Sequence, residues 1–281
     1  MTNDDAGSGA RTARAGTDRQ EECLDRPRDP LPTRVEACPP LPAAYHDALD
    51  GALAAIGVVL DRPAREAIDG HVRLLLAWNT AINLTSVRDP AEIAIRHVAD
   101  SLTAVEVVRA AGVEAVLDVG SGGGFPGIPL AAAVASSEAL LIDSVGKKAR
   151  FLGVAAEAIG LGGRVRVGSV RAEALAADPR HRGRWPAVTA RAVAPLAELV
   201  ELAFPLLAPG GMLIAWKRGD LDGELAAARR AIDGLHGGSI EVRPIALATL
   251  IGHCLVVVRR GRQAVPVAYP REAAVRRRRP W

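Results

Sequence analysis

The stretch Leu117-Asp118-Val119-Gly120-Ser121-Gly122-Gly123-Gly124-Phe125-Pro126-Gly127-Ile128-Pro129 carries the clearest chemical signal in the chain. An apolar run ends, glycines follow, and a helical pattern begins. Glycines let a backbone turn sharply and approach a ligand closely. Asp118 sits at the end of the run, where a carboxylate can accept from a ligand's polar groups. Asp143 ends the next apolar run, 23 residues after Gly120, near the ~20 expected of an acid that binds ribose hydroxyls. Asp143-Ser144 also suits a helix N-cap. Two ligands compete for the loop. Gly122-x-Gly124-x-x-Gly127 matches the dinucleotide pattern, which implies NAD(P) and an oxidoreductase. Counted from Gly120, the sixth position is Phe125 and that pattern fails, while Pro126 and Pro129 stiffen the helix entry. A strand acid followed by Gly120-x-Gly122-x-Gly124 suits S-adenosylmethionine better. That ligand brings a sulfonium, an amino acid end and a ribose, but no pyrophosphate.

The elements that must hold this loop are legible as alternating patterns. Short apolar runs predict strands at 115–119, 139–143, 164–167, 187–190, 212–216, 240–247 and 254–258. Amphipathic or apolar stretches predict helices at 128–135, 147–159, 196–207 and 221–235 between them. Strands alternating with helices imply an α/β fold with a parallel sheet covered on both faces. Upstream, helices are expected at 41–56 and 62–81, and from Asp89-Pro90 to Val108. Residues 1–40, rich in Gly, Arg, Asp and Pro without apolar periodicity, are expected to form a disordered extension.

Composition narrows the class. Hydrophobic residues are 49% of the 281 and charged ones 24%, enough for a sizeable core. No apolar run approaches the ~18–20 residues of a membrane-spanning helix, so no membrane role is expected. The 3 cysteines include no CxxC pair, which disfavours a disulfide framework or a cysteine zinc site and fits a reducing cytoplasm. No His pair has metal-ligand spacing, and no metal is expected. Aromatics at 3% disfavour a protein that reads many stacked bases. The net charge of +3 is unevenly placed: residues 259–281 hold eight Arg against one Glu. Such a basic tail suggests a polyanion partner or a solubilising end.

Several segments then fall together: Trp78-Asn79-x-x-Ile82-Asn83-Leu84-Thr85-Ser86-Val87-Arg88-Asp89-Pro90, Arg96-His97-x-x-Asp100-Ser101, the glycine loop, Asp143-Ser144-x-Gly146-Lys147-Lys148-x-Arg150-Phe151-Leu152, and Ala190-Arg191-Ala192. In this order they resemble the small-subunit ribosomal RNA methyltransferase G family, also called the glucose-inhibited division protein B family, over about residues 45–260. The resemblance implies a class I S-adenosylmethionine-dependent methyltransferase with a Rossmann-like seven-stranded sheet. With the extension and tail read from composition, the chain divides into a disordered extension 1–40, a helical cap 41–112, a methyltransferase domain 113–260 and a basic tail 261–281. The resemblance implies methyl transfer from S-adenosylmethionine to N7 of a guanine in 16S rRNA of the small ribosomal subunit. A cytoplasmic location and a monomer are expected beside it. Carried over by motif, the cofactor contacts are Gly120, Phe125, Ala172, Glu173 and Arg191, beside Asp118, Gly122 and Asp143 from the pattern itself. Asn83, Arg88 and His97 would stand at the mouth on the RNA side. Trp216 and Lys217, ending the fifth strand, would offer a stacking surface and a phosphate contact. For several of these the residue chemistry leaves a plainer role open: a salt bridge for Arg191, packing for His97, core for Trp216. Guanine N7 has a lone pair and no proton, so no general base and no catalytic residue is assigned. The slot after the fourth strand, Ala190 to Pro195, lacks the Asn/Asp-Pro-Pro-aromatic motif of enzymes that methylate amino groups. A non-catalytic RNA-binding protein using the basic tail is the remaining alternative.

Overall fold

A computed structural model describes residues 30–135 and 137–281. A helical part precedes the sheet and begins with α1 (Ala43–Ile56), α2 (Arg62–Trp78) and α3 (Pro90–Ile93). Asp61 caps α2 by accepting from the Ala64 amide at 2.8 Å, and Asp89 caps α3 through Glu92 at 2.9 Å. Each is followed by a proline in the first turn, where a missing N–H costs nothing. α3 runs into a π-helical stretch, Ala94–Ala99, which holds Arg96 and His97, then into α4 (Asp100–Leu102). The sequence pattern predicts one uninterrupted helix here. α5 (Val105–Ala110) completes the helical part.

The sheet and its helices follow as β1 (Ala115–Val119), α6 (Gly127–Ala133), β2 (Glu138–Ile142), α7 (Gly146–Ala158), β3 (Val165–Gly168), α8 (Ala172–Ala177), β4 (Trp185–Arg191), α9 (Leu196–Ala203), β5 (Leu207–Arg218), α10 (Asp222–Gly234), β6 (Gly238–Pro244) and β7 (His253–Arg260). The order is β3-β2-β1-β4-β5-β7-β6, with β7 antiparallel to both neighbours. The order reverses between β1 and β4, and doubly wound sheets bind ligands beyond the strand ends at such a point. Residues 116–119 of β1 and 139–142 of β2 are wholly buried. Burial on both faces is why these strands read as unbroken apolar runs rather than alternating ones.

Two expectations are corrected. Of the extension, residues 1–29 lie outside the described residues, but 32–40 pack on α2. The Trp78 indole donates to the Pro32 carbonyl at 2.7 Å, and the Arg73 guanidinium donates to the carbonyls of Pro39 and Cys38. Backbone carbonyls captured by distant side chains leave no periodicity in a sequence. Second, there is no break at residue 112: Pro32–Trp281 is one compact unit. Trp78 and His71 of α2 lie 5.5 and 6.1 Å from the Phe151 ring of α7. The basic tail, read in the sequence by its charge alone, is folded. It forms α11 (Ala273–Arg278), and Arg271 and Arg276 turn inward onto Glu201, Glu198 and Glu173. Arg260 is buried as well, donating to the carbonyls of Leu207 and Gln263, each at 2.7 Å. Those arginines satisfy internal acceptors, whereas Arg277, Arg278 and Arg279 remain exposed.

Candidate active site

The glycine loop leaves β1 and folds back over the end of β2. The amides of Gly120 and Ser121 both donate to the Ile142 carbonyl, at 2.8 and 3.0 Å. This reversal needs the left-handed backbone found at Gly120 (φ 70°) and Gly122 (φ 56°), which a side chain disfavours. The Asp143 carboxylate accepts from the Gly122 amide at 3.0 Å and the Val145 amide at 2.8 Å. It therefore ties the loop to the start of α7, and two of its lone pairs are used in doing so.

Asp118 does something other than face a ligand. It is 1% exposed. One oxygen accepts from the Thr189 hydroxyl at 2.7 Å, the other from the Gly127 amide at 3.2 Å. The acid holds the loop from beneath. Gly127 is glycine for the same reason: a Cβ there would lie 2.8 Å from the Asp118 carboxylate.

Phe125, at the loop's far end, is enclosed by His71 (4.8 Å between ring centroids), His97 (5.0 Å) and the Arg191 guanidinium (5.4 Å). His71 is a residue that the motifs do not single out. Its Nε2 donates to the Gly123 carbonyl at 2.8 Å, so α2 fastens the loop directly. The available signal was a histidine on the apolar face of α2, between Ile68 and Leu75. His97 contacts the Thr85 hydroxyl at 2.6 Å. Arg191 ends β4 and donates to the Asp100 carboxylate at 3.0 Å and to the Arg96 carbonyl at 3.0 Å.

Beyond Arg191 a cavity of about 860 Å³ opens over the ends of β4 and β5. His97, Asp100, Arg191, Trp216, Lys217 and Glu224 line it. Trp216 is 6% exposed and its indole donates to the Asp100 carbonyl at 2.8 Å, so it is both core and cavity wall. Lys217 donates to the Ala194 carbonyl and to Glu224, each at 2.9 Å. Asn83 and Arg88 are exposed on the preceding loop and do not line the cavity; their neighbours Ser86 and Val87 do. Asn79, just before them, staples that loop by accepting from the amides of Leu84 and Thr85.

Comparison with known proteins converges on one assignment. The family model described as rRNA small subunit methyltransferase G matches residues 64–242. Proteins named Ribosomal RNA small subunit methyltransferase G from Symbiobacterium thermophilum and Roseiflexus sp. (strain RS-1) are 36% and 39% identical. The matches cover 83% and 80% of this chain and 96% and 94% of those proteins. The chain belongs to the rRNA small subunit methyltransferase G family. Among solved structures, an O-methyltransferase from Bacillus cereus in complex with SAH aligns with a TM-score of 0.50 at 14% identity, covering 76% of this chain and 97% of that one. This agrees with a class I methyltransferase fold.

For a methyltransferase G member, the start of α6 also argues against the dinucleotide alternative. The Gly127 amide is bonded to Asp118, the Ile128 amide to the Gly124 carbonyl, and residue 129 is proline. That helix end presents no free amide to a pyrophosphate. The other carried-over positions, Ala172 and Glu173, open α8 beyond the end of β3. Ala172 is buried, and Glu173 accepts from Arg276 at 2.5 Å. Among the described residues, no group of three or more His, Cys, Asp or Glu is placed to hold a metal ion.

Burial perturbs three groups around the loop. It lowers His71 from 6.5 to about 4. Burial and then the Arg191 charge lower His97 to about 4. Burial raises Asp118 from 3.8 to about 6. A histidine depressed in the fold contributes stability that is complete above pH 6.5 and drains away as pH falls towards 4. Asp118 has the opposite sign: the folded state takes its proton first, so stability is gained as pH falls from 6 to 4. Asp118 thus offsets one histidine. Asp118→Asn is expected to steepen the acid loss of stability by about 2 kcal/mol between pH 6.5 and 4. Urea midpoints across that range check it; curves parallel to wild type would contradict the assignment.

Proposed function

We propose that this chain transfers the methyl group of S-adenosylmethionine to N7 of a guanine in 16S rRNA of the small ribosomal subunit, acting in the cytoplasm as a monomer. The observation that carries the reading is adjacency. Phe125 of the glycine loop touches His97 and Arg191, and both of those line the large cavity. A donor bound on the β1 loop would therefore meet an acceptor held over β4 and β5. Gly120, Gly122, Phe125, Asp143, Ala172, Glu173 and Arg191 are the residues that would hold S-adenosylmethionine. The open space at Gly122, where a Cβ would find only the Gly120 carbonyl, at 3.8 Å, leaves room for close backbone approach. When bound, that cofactor supplies an electrophilic methyl on a sulfonium.

The chain's own task is then alignment of the acceptor. Guanine N7 needs no deprotonation, and three ionisable groups that line the cavity are held by partners. Asp100 is paired with Arg191, Glu224 with Lys217, and His97 is bonded to Thr85. The N7 edge of a paired guanine lies in the narrow major groove of RNA, so the base must be unpaired or unstacked to enter. Arg96 and Arg218 line the cavity and are exposed, and Arg88 is exposed on the loop before it. They suit the phosphates of flanking nucleotides. N7-methylguanine mapped in 16S rRNA from cells with and without the gene tests the reading. One N7-methylguanine is expected to vanish; an unchanged set overturns it.

A further inference from the structure

We infer that Lys217 and Glu224 together read the O6, N1–H and 2-amino edge of the acceptor base, and so select guanine over adenine. This rests on the function proposed above and adds the specificity device.

The argument starts from direction. The glycine loop is on β1, Arg191 ends β4, Lys217 is at the end of β5, and Glu224 lies in the first turn of α10. β4 lies between β1 and β5 in the sheet. Across the cavity, the donor side is therefore marked by Arg191 and the far side by Lys217 and Glu224. The 2-amino group of guanine lies across the purine from N7, with O6 and N1–H along the edge between them. A base presenting N7 to the loop turns its 2-amino end towards Glu224 of α10, and the edge leading back through N1–H to O6 runs past Lys217.

The pair there has the matching pattern. A lysine ammonium has three N–H groups. Two are taken by the Ala194 carbonyl and Glu224 Oε1, leaving one for guanine O6. Glu224 Oε1 also accepts from the Leu196 amide at 3.3 Å. Its Oε2 has no hydrogen-bond partner among the described residues, and the side chain is 29% exposed at the cavity wall. That oxygen can accept from N1–H and the 2-amino group. The presented order is one donor and then an acceptor, which is the complement of guanine. Adenine offers an amino donor where Lys217 donates and a bare N1 where Glu224 accepts.

Glu224→Gln separates the roles. The amide oxygen can keep the contacts to Leu196 and Lys217, while the base-facing acceptor becomes a donor. Initial rates with radiolabelled S-adenosylmethionine are measured on 30S particles from cells lacking the gene. Affinity for S-adenosylhomocysteine is measured by calorimetry. The variant is expected to lose roughly 10- to 100-fold in kcat/KM, the scale of one bidentate base contact, with cofactor affinity within about two-fold of wild type. A variant within three-fold of wild type overturns the inference and leaves the proposed function standing. A variant that loses cofactor affinity in parallel makes Glu224 structural and also overturns it. A wild-type enzyme that methylates no guanine N7 overturns the proposed function and this inference together.

Discussion

Arg271→Ala is expected to destabilise the fold by about 3 kcal/mol, the lower end of what breaking a buried ion pair costs. Glu201 of α9 is fully buried. Its carboxylate accepts from the Arg271 backbone amide at 2.8 Å, from the guanidinium at 2.5 and 2.9 Å, and from the Trp281 indole at 2.6 Å. The guanidinium in turn lies 4.9 Å from the centre of the Trp281 ring. Removing the cation leaves a carboxylate in the core with neutral donors alone. It also takes away the surface on which the last residue of the chain rests. Urea denaturation followed by circular dichroism reads the loss. Replacing both partners by apolar residues, as in Arg271→Met with Glu201→Leu, is expected to recover most of it, because no charge is then stranded. A single variant that loses less than about 1 kcal/mol would return the C-terminal segment to the status of a solvated appendage.

Gly120→Asp is expected to reduce S-adenosylhomocysteine affinity at least about 100-fold, through strain and charge combined. The position has φ 70°, and a Cβ there would meet Val193 Cγ2 at 2.7 Å. Val193 is 38% exposed and can yield, so the contact is the smaller obstacle. Backbone strain of roughly 1–2 kcal/mol and a carboxylate placed near Asp143 are the larger ones. Gly120→Ala carries the strain without the charge and is expected to lose about ten-fold. Calorimetry on both variants, with circular dichroism to confirm folding, separates the two causes. Wild-type affinity in Gly120→Asp would mean that the cofactor does not lie against this loop.

Much of this protein is written in local patterns. Strands such as 115–119, the glycine turn after them and the helix starts at Asp61 and Asp89 each depend on residues within a few positions of one another. Side-chain period, left-handed backbone and capping act at that range, so a reading of neighbours finds them. The family segments lie in the same legible class. What a strand-end acid faces is a different matter. Asp118 and Asp143 look alike in sequence, each closing an apolar run. Only the placement of Thr189, 71 residues away, and the Gly127 amide commits Asp118 to the interior. Arg191 meets Asp100 across 91 residues, Arg271 meets Glu201 across 70, and Lys217 of β5 meets Ala194 in the loop after β4. The partner of a charge is chosen by what burial leaves nearby, because a buried charge without a counter-ion or hydrogen bond is too costly to keep. Sequence by itself therefore determined the layered sheet, the loop and the chemistry they can hold. Only the tertiary structure decided which acids and arginines are spent on holding the fold and which are left to face a substrate.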